Sequence, residues 1–382
     1  MKRHKSILVS VLKAIFRPRQ IAATVVAATL VGLLFYVTFN VDAFNPVAQG
    51  LKGFSTKDIF YKMMLASPAD TSEVIVIVDI TRLHDRDSIA TVLEEVDALE
   101  PAAIDVDVIF ERPMDSVGDA HLRKVAGKLE NTVFSFRMMD PDRERKEFTR
   151  QAHSFFAEGM KLNEGSINLD RGMVRKVPLS FEMGGKSYPS VIARMMEILQ
   201  AEPCDEESRN INYEPTVFRI IPYDSVQYNA DFIRNRIVMF GGAHESIDML
   251  YTPLGQMHGI EVLCYALKTM LETEQMTDCT GIPFWLLTIL LSYLSVCCIM
   301  AYKEKAFGMA DGIISDLLRT TLITSLFVFL LMVVFIAVGF WFFYKQHINF
   351  DLTPTLSIIA FATTSADLVR FFVKHTSSRA RT

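Results

Sequence analysis

The chain has 382 residues, 50% of them hydrophobic, with a mean hydropathy of +0.24 and a net charge of −5. That apolarity excludes an ordinary soluble protein and points to membrane segments attached to a soluble part. Residues 1–41 hold six bases and no acid, residues 282–382 hold eight bases and five acids, and 42–281 hold 39 acids against 25 bases; so acidic a middle excludes a nucleic-acid binder, because the phosphate backbone repels it.

The first element is the charge-free run 21–39, IAATVVAATLVGLLFYVTF, behind Lys2, Arg3, Lys5, Lys13, Arg17 and Arg19. At about 1.5 Å per residue it is long enough to cross a hydrocarbon core of about 30 Å. A signal peptide would have a shorter apolar core and end in a small-x-small cleavage site, which VTFNVDAF does not supply. The expectation is an uncleaved transmembrane helix over 21–41, behind a basic cytoplasmic segment 1–20.

Residues 42–278 are long enough for one domain with a substantial core. SEVIVIVDI (72–80) is a β-branched run, predicted as a buried strand. SIATVLEEVDALEP follows with Ile89, Val92, Leu93, Val96 and Leu99 at helical spacing, and Ser88 is placed to cap it. AAIDVDVIF (102–110) is a second strand, with Ile104, Val106 and Val108 on one face. Strand, helix and strand at this spacing predict a parallel βαβ unit. A helix near 115–130 and the strand TVFSF continue the pattern, and 166–190 reads as strands around glycine turns. A helix over 189–200, the strand RNRIVMFGG and the helix GIEVLCYALKTMLET complete it. The fold class expected is an α/β extracytoplasmic domain with a mixed β-sheet, flanked by α-helical transmembrane segments.

Two further charge-free runs follow at 279–302 and 320–344, then a weaker one at 352–372 that holds Asp367 and Arg370 near one end. Those two charges are expected to snorkel to the interface or pair with each other. Lys303, Lys305 and Arg319 flank the loop between the second and third runs, and Arg370, Lys374, Arg379 and Arg381 crowd the end. By the positive-inside rule both termini lie in the cytoplasm, with 373–382 a short basic tail, and residues 42–278 lie outside.

VIVIVDI followed by a helix and PAAIDVDVIFERP, then DRGMVRKVPLSFEMGGKSYPSVIARM, INYEP, and RIVMFGGAHESIDMLYTPLGQMHGIEVLCYALKTML, come in an order that resembles one known family. The chain resembles the CHASE domain of type 2, the extracytoplasmic sensory domain associated with cyclases and histidine kinases, from about 44 to 300. The layout of one span before and several after is similar too. The resemblance implies a sensor fold with an α/β core. Family members usually carry a kinase or cyclase after the last span, whereas only the short basic tail 373–382 is expected to follow here, too few residues for a folded output domain. The loop TRLHDRDS also lacks the family's tryptophan-proline element.

Two groups of residues are candidates for chemistry. In GGAHESIDMLYTPLG (241–255) a strand runs into glycines and then His244, Glu245, Ser246, Asp248 and Thr252. Ser246 sits near His244, but no G-x-S-x-G elbow is present, so a catalytic role is not expected. Gly241 and Gly242 are expected to let the chain turn, with Asp248 and Thr252 bonding loop amides, or with His244, Asp248 and Thr252 contacting a bound ligand. Pro253 fixes the chain shortly before a helix that begins near Gly259, where Glu261 suits the first turn. The second group is Asp79, Asp105 and Asp107, at or near the carboxyl ends of two strands, where open α/β sheets bind ligands. They could hold a cation or cationic ligand; the competing reading is that they bond loop amides and Arg82, Arg86 or Arg112. Of the five cysteines, Cys297 and Cys298 fall in a span as apolar fillers, and Cys204, Cys264 and Cys279 allow at most one bridge. No spacing suggests zinc, and no cofactor is expected.

The function expected is a multi-pass protein of a bacterial inner membrane, not an enzyme, with an outside sensory domain. Its expected partners are the lipid bilayer, a separate cytoplasmic or membrane signalling protein, a second copy of the chain in a homodimer, and an unknown small ligand. The alternative is an assembly component whose outer domain docks another protein and binds no small ligand. A membrane-tethered hydrolase is a third reading, disfavoured by the missing nucleophile motif.

Overall fold

A computed structural model describes residues 17–40, 55–66, 68–142, 147–157, 159–169, 172–201, 206–244, 248–272, 277–310 and 312–379. Lys2, Arg3, Lys5, Lys13, Cys204, Glu245, Ser246 and Arg381 lie outside the described residues. The chain divides into two compact units, residues 61–275 and residues 1–60 with 276–382. Two helices open it, α1 (Pro18–Asn40) and α2 (Thr56–Met64).

The unit 61–275 is built on a seven-stranded sheet. β1 (Asp70–Asp79) leads through α3 (Arg86–Asp97) to β2 (Ala103–Asp107), and α4 (Ser116–Ala126) leads to β3 (Thr132–Asp142), β4 (Glu147–Ala152) and β5 (Asn163–Ser166). Short strands β6 (Lys176–Pro178), β7 (Ser180–Met183), β8 (Lys186–Pro189) and β9 (Ser208–Asn210) follow, with α5 (Val191–Ile198) between β8 and β9. The unit closes with β10 (Thr216–Pro222), α6 (Ala230–Ile233), β11 (Ile237–Gly241), the pair β12 (Met249–Thr252) and β13 (Gly255–His258), and α7 (Gly259–Leu271). The order across the sheet is β10-β1-β11-β2-β3-β4, with β5 also on β3, and every pair is parallel except β3–β4. The expected mixed α/β sheet is what forms.

The β1–α3–β2 unit is parallel, as its spacing predicts, but its strands are not neighbours. β11 is inserted between them, pairing Ile75–Asp79 on one side and Ala103–Asp107 on the other. Burial on both faces explains why these three strands read as apolar runs. One face packs Val76, Val78, Ile104, Val106, Val238 and Phe240 against α3 and α4 in the main core. The other carries Ile77, Met239 and Asp105 in one row, below α5 and α7.

Local signals set several ends. Asp85, not Ser88, caps α3: its carboxylate accepts the Ser88 N–H at 2.8 Å. Asp85 precedes the helix in extended backbone, while Ser88 already lies in its first turn. β7 and β8 are joined through Gly184 and Gly185 at φ 58° and 72°, the consecutive positive values of a type I′ hairpin.

In the second unit, β14 (Thr277–Asp278) pairs with β15 (Ile348–Asn349), and α8 (Gly281–Gly308), α9 (Ile313–Arg319), α10 (Thr321–Gln346) and α11 (Thr353–Arg379) form most of the mass. Among the described residues four helices are long and apolar enough to cross a membrane: Pro18–Thr38, Gly281–Gly308, Thr321–Gln346 and Thr353–Val373. Small residues let three of them approach closely, with Ala23, Ala362 and Ala366 buried among Val296, Ile299 and Met300. Asp367 and Arg370 neither pair with each other nor stand alone. The Lys303 ammonium, itself buried, donates to Asp367 Oδ2 at 2.7 Å and to the Thr363 carbonyl at 3.2 Å, whereas the Arg370 guanidinium lies 4.9 Å from the Phe307 ring centre. Asp367 and Arg370 are three positions apart, and each finds its partner on α8.

Candidate functional site

The carboxyl ends of β2 and β5 and the middle of β3 border one cleft in the unit 61–275. Asp107 ends β2, Arg137 lies two residues beyond Ser135 on β3, and Asn168 follows β5. Asp248, Leu250, Gly259 and Leu263 close the other side, around a cavity of about 190 Å³. The parallel register explains the grouping. Asp105 pairs with Val133, so odd-numbered residues of β2 and β3 share a face, and Arg137 comes up on the side of Asp107.

Two local devices hold the cleft's rim. The Asn168 side chain accepts the Met138 N–H at 2.7 Å and donates to the Met138 carbonyl at 2.8 Å, so an amide replaces a strand partner next to Arg137. Asp248 sits under the first turn of α7, where its backbone carbonyl accepts the Gly259 N–H at 3.0 Å. A Cβ on Gly259 would press on Asp248 Oδ2, so a larger residue there would have to displace that carboxylate. Burial under the helix pushes the Asp248 carboxyl up, and Arg137, the Gly259 N–H and His258 only partly offset this. Its outer side meets solvent, which limits the shift.

The sequence-predicted acids separate into three environments. Asp79 serves its own loop. Its Oδ1 accepts the Thr81 N–H and the Ala243 N–H at 3.0 Å each, and the Thr81 hydroxyl. Burial pushes this carboxyl up, but those hydrogen bonds and the nearby His244 outweigh it and hold Asp79 below the usual carboxylate range. Asp105 is fully buried between Met239 and Val133, and neither carboxyl oxygen has a hydrogen-bond partner among the described residues. Burial pushes its carboxyl well above the usual range, and the neighbouring Asp107 pushes the same way. Asp107 faces the cleft. Asp105 and Asp107 thus share a face, and Asp79 lies in the row of Asp107, but the three carboxylates are not directed at one point. Among the described residues no group of three His, Cys, Asp or Glu could hold a metal ion. Arg86 is not their counter-charge: it pairs with Asp119 and the Arg112 carbonyl.

The 241–255 stretch is more ordered than a turn. Gly241 is the last residue of β11, not a turn residue, and it is needed for close approach. A Cβ there would lie 2.9 Å from Ile260 Cδ1 and 3.0 Å from Asp107 Cβ. Gly242 follows as a half-buried loop residue. Residues 249–258 form a β-hairpin whose turn contains Pro253, with Gly255 at φ 129°. The buried Thr252 donates its hydroxyl to the Gly255 carbonyl at 2.8 Å, so it bonds a carbonyl rather than a loop amide. His244 is largely exposed, its N–H donating to Thr81 Oγ1 at 3.1 Å and its Nε2 lying 3.9 Å from Asp79 Oδ2. Glu261 accepts the His258 N–H at 3.3 Å in the first turn of α7.

Arg137 and Asn168 are the cleft residues that sequence reasoning missed. The signal for Arg137 was alternation: Val133, Ser135 and Arg137 continue the face that carries Asp105 and Asp107. Among the described residues no disulfide forms, Cys264, Cys279, Cys297 and Cys298 being free. Cys264 is buried on α7, and that burial, followed by the charge of Asp105, pushes its thiol well up.

A mixed α/β unit with a polar cleft is thus found in one chain with apolar helices of membrane-crossing length, a make-up compatible with membrane association. The model of the CHASE2 domain family matches residues 25–301. The chain therefore belongs to the CHASE2 family of extracellular sensory domains. Neither a curated protein nor a solved structure matches it.

Proposed function

We propose that this chain is a multi-pass membrane sensor. It displays the 61–275 unit outside the cytoplasm of a bacterial cell, anchored in the inner membrane by four helices with both termini inside. The cleft binds a small polar ligand, and the outcome passes to a separate membrane or cytoplasmic signalling protein. The observation that carries this reading is the cleft itself: charged groups of both signs meet at the carboxyl edge of the sheet, where α/β folds place ligands. The basic flanks of the apolar helices support the orientation. The chemistry proposed is binding, since the described lining of the cleft pairs acids with an arginine and an amide.

The test is a thermal-unfolding screen of the intact detergent-solubilised protein against polar metabolites. A ligand of the cleft raises the unfolding midpoint of the parent and not that of Asp107→Asn, whose own midpoint stays near the parent's. If every stabilising compound acts equally on both proteins, the cleft is not the sensor site.

A further inference from the structure

We propose that α9 is an interfacial helix whose apolar face inserts among the acyl chains of the cytoplasmic leaflet, just below the lipid headgroups; this rests on the reading of α8 and α10 as membrane-crossing helices. α9 (Ile313–Arg319) is short and two-sided. At about 100° per residue, Ile313, Leu317 and Ile314 fall within one arc, and Ser315 and Arg319 fall on the opposite side. Ile313, Ile314 and Leu317 are 90%, 69% and 54% exposed, against 2% for Ser315. The polar side holds the helix in place. Arg319 donates from Nε to the Ala306 carbonyl at 3.2 Å and from Nη2 to the Met309 carbonyl at 2.8 Å, at the end of α8. The Tyr302 hydroxyl donates to the Leu318 carbonyl at 2.9 Å, and Thr320 caps α10 by accepting the Ile323 N–H. The outward apolar face is therefore a fixed feature of the joint between α8 and α10.

What covers that face follows from its tethers. Residues 309–312 join α9 to α8, and Thr320 alone joins it to α10. At about 3.5 Å per residue the longer link reaches roughly 14 Å at most, so α9 stays at the membrane surface where α8 and α10 end. Exposed apolar residues continue along one side of α10 at Leu322, Leu326, Phe329 and Leu330. The acyl chains that solvate this stripe are the nearest apolar medium to the α9 face, whereas an aqueous setting would leave three large aliphatic side chains in water.

The experiment uses the full chain in nanodiscs of phosphatidylethanolamine and phosphatidylglycerol, which leave both membrane faces open to solutes. The chain has two tryptophans, which are replaced as Trp285→Phe and Trp341→Phe, and Ile314→Trp is the reporter. All three positions are exposed, so the variant folds as the parent does, and Leu317→Trp is a second reporter on the same face. Val333→Trp, near the middle of α10, is the control. The expected result is a blue-shifted emission from Ile314→Trp that iodide quenches weakly. Lipids brominated near the headgroup quench it more than lipids brominated near the chain end, and Val333→Trp shows the reverse order. Quenching of both reporters by iodide and by neither brominated lipid overturns the proposal, because the face then meets water. Quenching by none of the three agents also overturns it, because a second copy of the chain then covers the face. Stronger quenching by the deeper bromines overturns it as well, since α9 would then be part of a span. Each of these outcomes leaves the membrane reading intact if the brominated lipids quench Val333→Trp. If they do not, α10 does not cross, and both readings fall.

Discussion

Asp79 and Asp107 stand in one row of the sheet, each paired in register with Gly241 between them. The residue that separates them has no side chain, yet the two carboxylates do different work. Asp79 accepts the N–H groups of Thr81 and Ala243 and so ties two loops together. Asp107 lines the cleft.

Gly241→Ala is therefore expected to destabilise the domain. Its methyl group would press on Ile260 Cδ1 at 2.9 Å and on Asp107 Cβ at 3.0 Å. Overpacking of this kind costs about 1–3 kcal/mol. Denaturant unfolding of the intact protein measures it. A variant as stable as the parent would mean that β11 and α7 shift freely, contrary to the packing described.

Asp105 gives a pH dependence of definite sign. Its folded-state carboxyl sits well above the ordinary value of 3.8, so between those limits the folded protein holds a proton that the unfolded chain has released. Stability contributed by this group is full below 3.8 and falls as pH rises, at up to about 1.4 kcal/mol per pH unit within that window. Asp105→Asn removes the titration. The stability of the variant relative to the parent is expected to grow from pH 4 towards neutrality, as read by unfolding midpoints at several pH values. A constant difference would show that Asp105 does not titrate in that range.

The Lys303–Asp367 pair joins α8 to α11, with Lys303 buried and hydrogen-bonded also to the Thr363 carbonyl. Asp367→Ala leaves a buried ammonium with one neutral acceptor and is expected to cost roughly 1–3 kcal/mol, less than for a fully buried pair because Asp367 is partly exposed. Lys303→Met combined with Asp367→Asn is expected to recover most of the loss. Thermal stability in detergent compares the three proteins, and a double variant no better than the single would remove the pair from the account.

The proposed orientation in the membrane predicts a reporter pattern. An enzyme active only in the cytoplasm works when fused after Thr382 and fails when inserted near Asp205. Activity at both positions would mean a different number of crossings.

What the sequence made legible were the features carried by short-range pattern. The β-branched runs at 72–80 and 236–240 and the helical spacing of Ile89, Val92, Leu93 and Val96 became β1, β11 and α3. Long-range pairing was not legible. Nothing local says that Ile237–Gly241 enters between β1 and β2, because a buried parallel strand has the same composition in any position. The hairpin 249–258 was hidden because GQMH has few strand-forming residues and depends on its pairing with Met249–Thr252. Half of the cleft was visible as acids near strand ends. The other half was missed because Arg137 reads as an ordinary strand residue until the register of β3 against β2 is known.

The central place of β11 also constrains how the domain is made. Its partners β1 and β2 leave the ribosome more than a hundred residues before Ile237. Until then the middle of the sheet is an empty slot, bounded by two apolar edges with unsatisfied backbone groups. Closure over so long a separation is slow, and open edges of this kind invite pairing with other chains. A chain truncated between Pro222 and Ile237 would keep six of the seven strands of the sheet yet lack the one that joins them, so it is expected to aggregate rather than to persist as a smaller folded domain.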